Sequence, residues 1–123
     1  MRYLLLAASG AAGTITRYLF REWTHGLFGH HFPYGTLIVN VSGCFLIGVI
    51  GTLVDHKAVL GANARYIFMI GFLGAFTTFS SFTYETWVLF KDGHALLAGW
   101  NVLSSLLGCF TGLALGIWCA RFV

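Results

Sequence analysis

Between Thr77 and Thr83 the chain sets five hydroxyl side chains in seven residues, Thr77, Thr78, Ser80, Ser81 and Thr83, interleaved with Phe79 and Phe82. Ser and Thr compete for backbone hydrogen bonds and Gly adds backbone freedom. The run that begins at Gly71 and Gly74 therefore predicts a helix break near Gly74 to Thr78. Carbonyls freed by such a break are ready ligands for a small cation. Phe79 and Phe82, three apart, share a helix face. An aromatic ring is negative on its face and positive at its edge, so two ring edges among hydroxyl donors can hold a small desolvated anion. The competing readings are a Ser/Thr-rich packing seam in an intact helix and two Phe that only pack.

Arg17, Asn40 and Asn101 are the other polar residues that stand well inside apolar sequence. Each is seven or eight residues inward from the polar positions His25, Pro33 and His94. At about 1.5 Å per helical residue, all three share one depth, roughly 10 to 12 Å below one surface. Together they can form an electropositive vestibule that offers a charge and amide donors to an anion. Alternatively Arg17 snorkels to headgroups and the two Asn tie helices together. Asn101 and Ser105 lie on one helical face, with Cys109 next along it. Glu85 follows on the Ser81 face, as a transport carboxylate, a partner for another span or an acid that water reaches.

The elements that must position these residues are apolar. The chain is 58% hydrophobic and 9% charged, against about 25% charged in an ordinary soluble domain. Spanning about 30 Å of hydrocarbon takes about 20 residues. Polar and turn clusters cut the chain into four such spans, at about 4–23, 34–54, 64–90 and 95–120. The N-terminal Leu-rich stretch continues into the first span and does not end as a signal peptide would. A single proline and no linker-like stretch predict one integral membrane domain over 1–123. Gly108, Gly112 and Gly116 form a small-residue stripe for close helix approach, and Trp23, Trp87 and Trp118 fall near span ends as interfacial anchors.

Singly placed Lys and Arg form no stripe for nucleic acid. Cys44, Cys109 and Cys119 lie in apolar runs and read as packing residues. His25, His30 and His31 have no Cys or acidic companion at metal-ligand spacing, and no constellation suits catalysis, so the chain does not read as an enzyme. Loop charges nearly balance: Arg2, Lys57, Arg65 and Arg121 on one side, Arg21 and Lys91 with a deeper Arg17 on the other. So slight a bias predicts a mixture of orientations, and hence an antiparallel pair. Four helices are also too few to enclose a conduction path alone.

Three motifs then stand together: Gly10-x-x-Gly13-x-x-x-Arg17-Tyr18, Phe32-Pro33-x-Gly35-Thr36-x-x-x-Asn40-x-x-Gly43, and Gly71-Phe72-x-Gly74-x-x-Thr77-Thr78-Phe79-Ser80-x-Phe82-x-x-Glu85. Over essentially the whole chain they closely resemble the Fluc fluoride channels, also called the CrcB family. The resemblance implies an all-α, multi-pass protein of the cell (inner) membrane. It would be an antiparallel dual-topology homodimer with a broken third helix, exporting fluoride that entered as the neutral acid and so giving fluoride resistance. It further implies two fluoride pores, with fluoride ligation by Asn40, ring edges from Phe79 and Phe82, the pair at each pore coming from different subunits, and a polar track through Asn101 and Ser105; the hydroxyls of Thr78, Ser80 and Ser81 would add donors to the pore. Arg17 would make the vestibule electropositive, and a structural sodium ion would take the carbonyls of Gly74 and Thr77. The chain departs from the family at Cys109, where a hydroxyl is expected, and at Asn101, where many members carry Tyr. Two other classes compete: a proton-coupled small multidrug transporter, which needs a carboxylate deep in a span, and a non-conducting scaffold.

Overall fold

A computed structural model describes residues 1–56 and 63–122, and among these the regular structure is helical. Lys57, counted among the loop charges, lies outside the described residues. Helix α1 spans Arg2–Phe28 and α2 spans Tyr34–His56. The third span opens as a π-helix, Arg65–Leu73, continued by one turn, α3, Gly74–Phe76. After two extended residues, α4 runs Phe79–Lys91, and α5 follows at Ala95–Ala120. Among the described residues, three segments are long and apolar enough to cross a membrane: Tyr34–Asp55, Arg65–Lys91 and Ala95–Ala120. Helix α1 is long enough, but its glycines, hydroxyls and Arg17 dilute its apolar character.

The break falls at the C-terminal edge of the predicted window. Gly74 to Phe76 remain helical, and the backbone becomes extended at Thr77 (φ −78°, ψ 156°) and Thr78 (φ −151°, ψ 116°). Leu73 carbonyl accepts from both the Thr77 N–H (3.0 Å) and the Thr77 hydroxyl (2.9 Å), which closes the last turn. Helix α1 runs five residues beyond its expected end at 23. The reason is Thr24: its hydroxyl donates back to the Phe20 and Arg21 carbonyls (3.0 and 2.8 Å), and the side chain is buried. Polar residues there mark a contact with α2, because a Cβ on Gly35 would come within 2.8 Å of Thr24 Oγ1. The helix stops only at Gly29, whose φ of 75° suits glycine. His25 therefore sits on α1, while His30 and His31 lie in the following turn.

Small residues set the helix pairing. Gly10 and Gly13 of α1 face Gly71 and Phe72, so α1 and the first half of the third span run alongside in the same direction. Helices α2 and α5 are likewise parallel and in register. A Cβ on Gly108 would stand 2.8 Å from Val41 Cγ2, and one on Gly112 2.9 Å from the Val41 carbonyl, while Gly116 meets Phe45. This is the close approach expected of the glycine stripe. The buried core is small, Val39, Leu73 and Phe76, with Phe20, Ile47, Ile50 and Phe72 around it. Much of the lateral surface is apolar and exposed, including Leu19, Ile70, Leu107 and Phe110, as suits a chain covered by lipid or by another copy. Trp23, Trp87 and Trp118 are exposed near helix ends, and Arg65 pairs with Asp55 (3.3 Å) to join the ends of α2 and the third span.

Candidate functional site: a cavity at the broken third span

Asn40 latches the break. Its Nδ2 donates to the Thr78 carbonyl at 3.0 Å, and its Oδ1 accepts from the Thr78 N–H at 2.8 Å. In a continuous helix that N–H would bond the carbonyl four residues back, so the Asn40 bond diverts the donor that Gly74 would have received. The Ser81 N–H likewise turns to the Thr78 hydroxyl (3.3 Å), which caps α4. Its helical acceptor would have been Thr77, whose carbonyl instead meets Arg17 Nη1 at 3.4 Å. The break thus presents two carbonyls whose helical donors are engaged elsewhere. Gly43 makes room for it, since a Cβ there would overlap Thr77 Cγ2.

Beside the break lies a cavity of about 320 Å³. Of the residues singled out in the sequence, Asn40, Gly74, Thr77, Thr78, Phe79, Phe82 and Ser105 line it. They come from α2, both halves of the third span and α5. The Ser105 hydroxyl is the chemically telling member. The residue is 6% exposed, and its Oγ has no hydrogen-bond partner among the described residues. A buried polar group without a partner costs about 1–3 kcal/mol, so such a hydroxyl on a cavity wall calls for a ligand. The Phe79 and Phe82 rings are 5.4 Å apart and tilted by 52°. Phe82 is packed into the chain, 7% exposed, whereas Phe79, on the same cavity wall, is 73% exposed. The two rings are neighbours within one chain.

The remaining candidates sit outside the cavity wall. Ser80 and Ser81 contact the Thr78 hydroxyl at 3.3 and 3.1 Å without reaching the cavity wall themselves. Arg17 shares the break with Asn40, as their common depth suggested. Asn101 shares the depth but not the place: it is 1% exposed and donates to Thr86 Oγ1 at 2.8 Å, in the seam between α4 and α5. Glu85 is a partner for other spans, its Oε1 accepting from Arg21 Nη2 (2.7 Å) and from Thr36 (2.9 Å), which ties α1, α2 and α4 together. With His25, His30 and His31 it also borders a second cavity of about 250 Å³. Cys44 and Cys109 line the first cavity as well. Cys44 was read as packing alone, although it lies one helical turn beyond Asn40, as Cys109 does beyond Ser105, and that spacing is the signal that places both on the cavity side.

Residues 4–117 match the family model described as CrcB-like protein, Camphor Resistance (CrcB). The chain belongs to the CrcB family. Among its relatives are three proteins named fluoride-specific ion channel FluC. That of Geobacter metallireducens is 46% identical over 94% of this chain and 94% of the relative. That of Geotalea uraniireducens is 44% identical over 96% and 95%, and that of Geotalea daltonii 42% identical over 98% and 97%. The CrcB match spans all the elements that build the cavity, from the glycines of α1 to the stripe on α5.

Proposed function

We propose that this chain is a fluoride-selective passive channel. Its relatives are named for that activity, and the observation that carries the reading to this chain is the unpartnered Ser105 hydroxyl in the cavity beside the break. Fluoride is small and holds its water tightly. A passive pore must replace that water with dense donors without binding so firmly that release stalls. Ser105, the remaining N–H of Asn40 Nδ2, the Thr78 hydroxyl and the ring edges of Phe79 and Phe82 are the replacement, and larger halides lose on fit. The N-terminus of α4 points its dipole at the same region, and Arg17 adds positive charge, both of which favour an anion. The channel is not an enzyme. The multidrug-transporter reading fares poorly because Glu85 is engaged by Arg21 and Thr36. Purified protein in liposomes should release fluoride without a proton gradient; cation-coupled proton movement, or no flux at all, would overturn the reading.

In this proposal α1 is the fourth span, and two copies insert in opposite directions into the inner membrane as a dual-topology homodimer. The near-balanced loop charges support it, as does the exposed Phe79, which a second copy would cover. A C-terminal reporter expressed at native level should be found on both sides of the membrane; a single orientation would contradict the antiparallel arrangement. The carbonyls of Gly74 and Thr77 suit a structural sodium ion, since a hard cation takes oxygen ligands and two copies would bring four. Such an ion supplies a fixed charge that joins the copies, and Arg17 competes with it for the Thr77 oxygen. Sodium-free buffer should lower the dimer's melting temperature, and an unchanged value would argue against the ion.

A further inference from the structure

Two thiols share the cavity wall with the fluoride ligands. Cys44 on α2 and Cys109 on α5 both line it, each half-buried. The parallel packing of α2 and α5 at the glycine stripe brings them together, with Gly108 closing on Val41 just before Cys109. The third cysteine, Cys119, is ten residues further along α5 and does not line the cavity.

We propose that Cys44 and Cys109 form a two-thiol site for a linear, two-coordinate thiophilic cation, and that occupying it closes the ion pathway. Soft thiolate ligands select soft cations such as Cu(I). No group of three His, Cys, Asp or Glu side chains able to hold a metal occurs among the described residues. A tetrahedral ion such as zinc therefore lacks its ligand set, whereas a cation satisfied by two sulfurs does not. With Hg²⁺ as the probe, each thiol gives up its proton to water and two Hg–S bonds form, with no change of oxidation state. The product is neutral, so it does not attract fluoride. It places a large atom across the cavity one helical turn from Asn40 and Ser105, where the anion would otherwise pass.

Closure rests on the fluoride-channel reading, but the metal site does not. The test adds Hg²⁺ up to one equivalent per chain to the full-length protein in detergent and in liposomes. Two of the three thiols should disappear from a thiol titration, X-ray absorption should show mercury between two sulfurs, and fluoride efflux should stop and return on adding a dithiol chelator. Cys119→Ser should behave as the parent. Cys44→Ser and Cys109→Ser, checked as intact assemblies by size exclusion, should each lose both the two-sulfur signature and the block. Mercury on a single sulfur in a conducting parent overturns the site, as does an undiminished block in Cys109→Ser. Two-sulfur mercury in a parent that carries no fluoride overturns the channel reading and the closure but leaves the metal site standing.

Discussion

Fluoride efflux through Asn40→Asp is expected to fall about a thousandfold at pH 7, in a protein that still folds. Asn40 uses both halves of its amide on Thr78, accepting from the N–H and donating to the carbonyl. An ionised Asp keeps the first bond and loses the second, so the latch on the break weakens without vanishing. The larger effect is electrostatic. Two like charges about 4 Å apart at an effective dielectric constant of about 20 repel by about 4 kcal/mol, which corresponds to about three orders of magnitude in rate. A carboxylate also has no donor to give fluoride. Efflux from liposomes, with size exclusion to confirm the assembly, measures the effect. A parental rate would mean that Asn40 serves the break alone and never meets the anion.

Phe82→Ile is expected to reduce fluoride efflux by at least about tenfold, which requires only ~1.4 kcal/mol of added barrier. Isoleucine keeps an apolar side chain but removes the positive ring edge. Because Phe82 is 7% exposed and packed within the chain, the change also costs stability, about 1–3 kcal/mol for a core swap. The two consequences separate. If Phe82 only fills space, the surviving assembly conducts as the parent does; if its edge meets fluoride, flux falls even where the assembly is intact. Phe79→Ile sharpens the distinction. Phe79 is 73% exposed in the chain and has little packing of its own to lose, so a fall in flux there would report on the ring itself or on its contact with a second copy. An intact Phe82→Ile assembly that conducts at the parental rate would remove ring-edge contact from the mechanism at that residue.

The elements and the break were legible in the sequence because their signals are local. The apolar run ending at Arg121 gave a span at 95–120, and the helix is Ala95–Ala120. The Gly and hydroxyl run predicted a break between residues 74 and 78, and the backbone leaves the helix at Thr77 and Thr78. The family motifs, too, are strings of adjacent residues. What failed was reading polar residues as loop: Thr24 satisfies its hydroxyl within its own helix and packs beneath α2, so α1 continues to Phe28.

Partners were not legible, because depth along a helix says nothing about direction around it. Arg17, Asn40 and Asn101 were assigned one depth by counting residues. Only the rotation of each helix, fixed by which small residues let its neighbours approach, decided that Arg17 and Asn40 reach the break while Asn101 turns to Thr86. The same rotation set Glu85 against Arg21 and Thr36, and left the Ser105 hydroxyl without a partner among the described residues. It also turned Cys44 and Cys109, two residues that composition assigns to packing, toward the cavity. The sequence determined which chemistry the chain carries and how deep it lies. The tertiary structure decided which of those groups meet, since hydrogen bonds act over about 3 Å and a single turn of a helix carries a side chain past every neighbour it might choose.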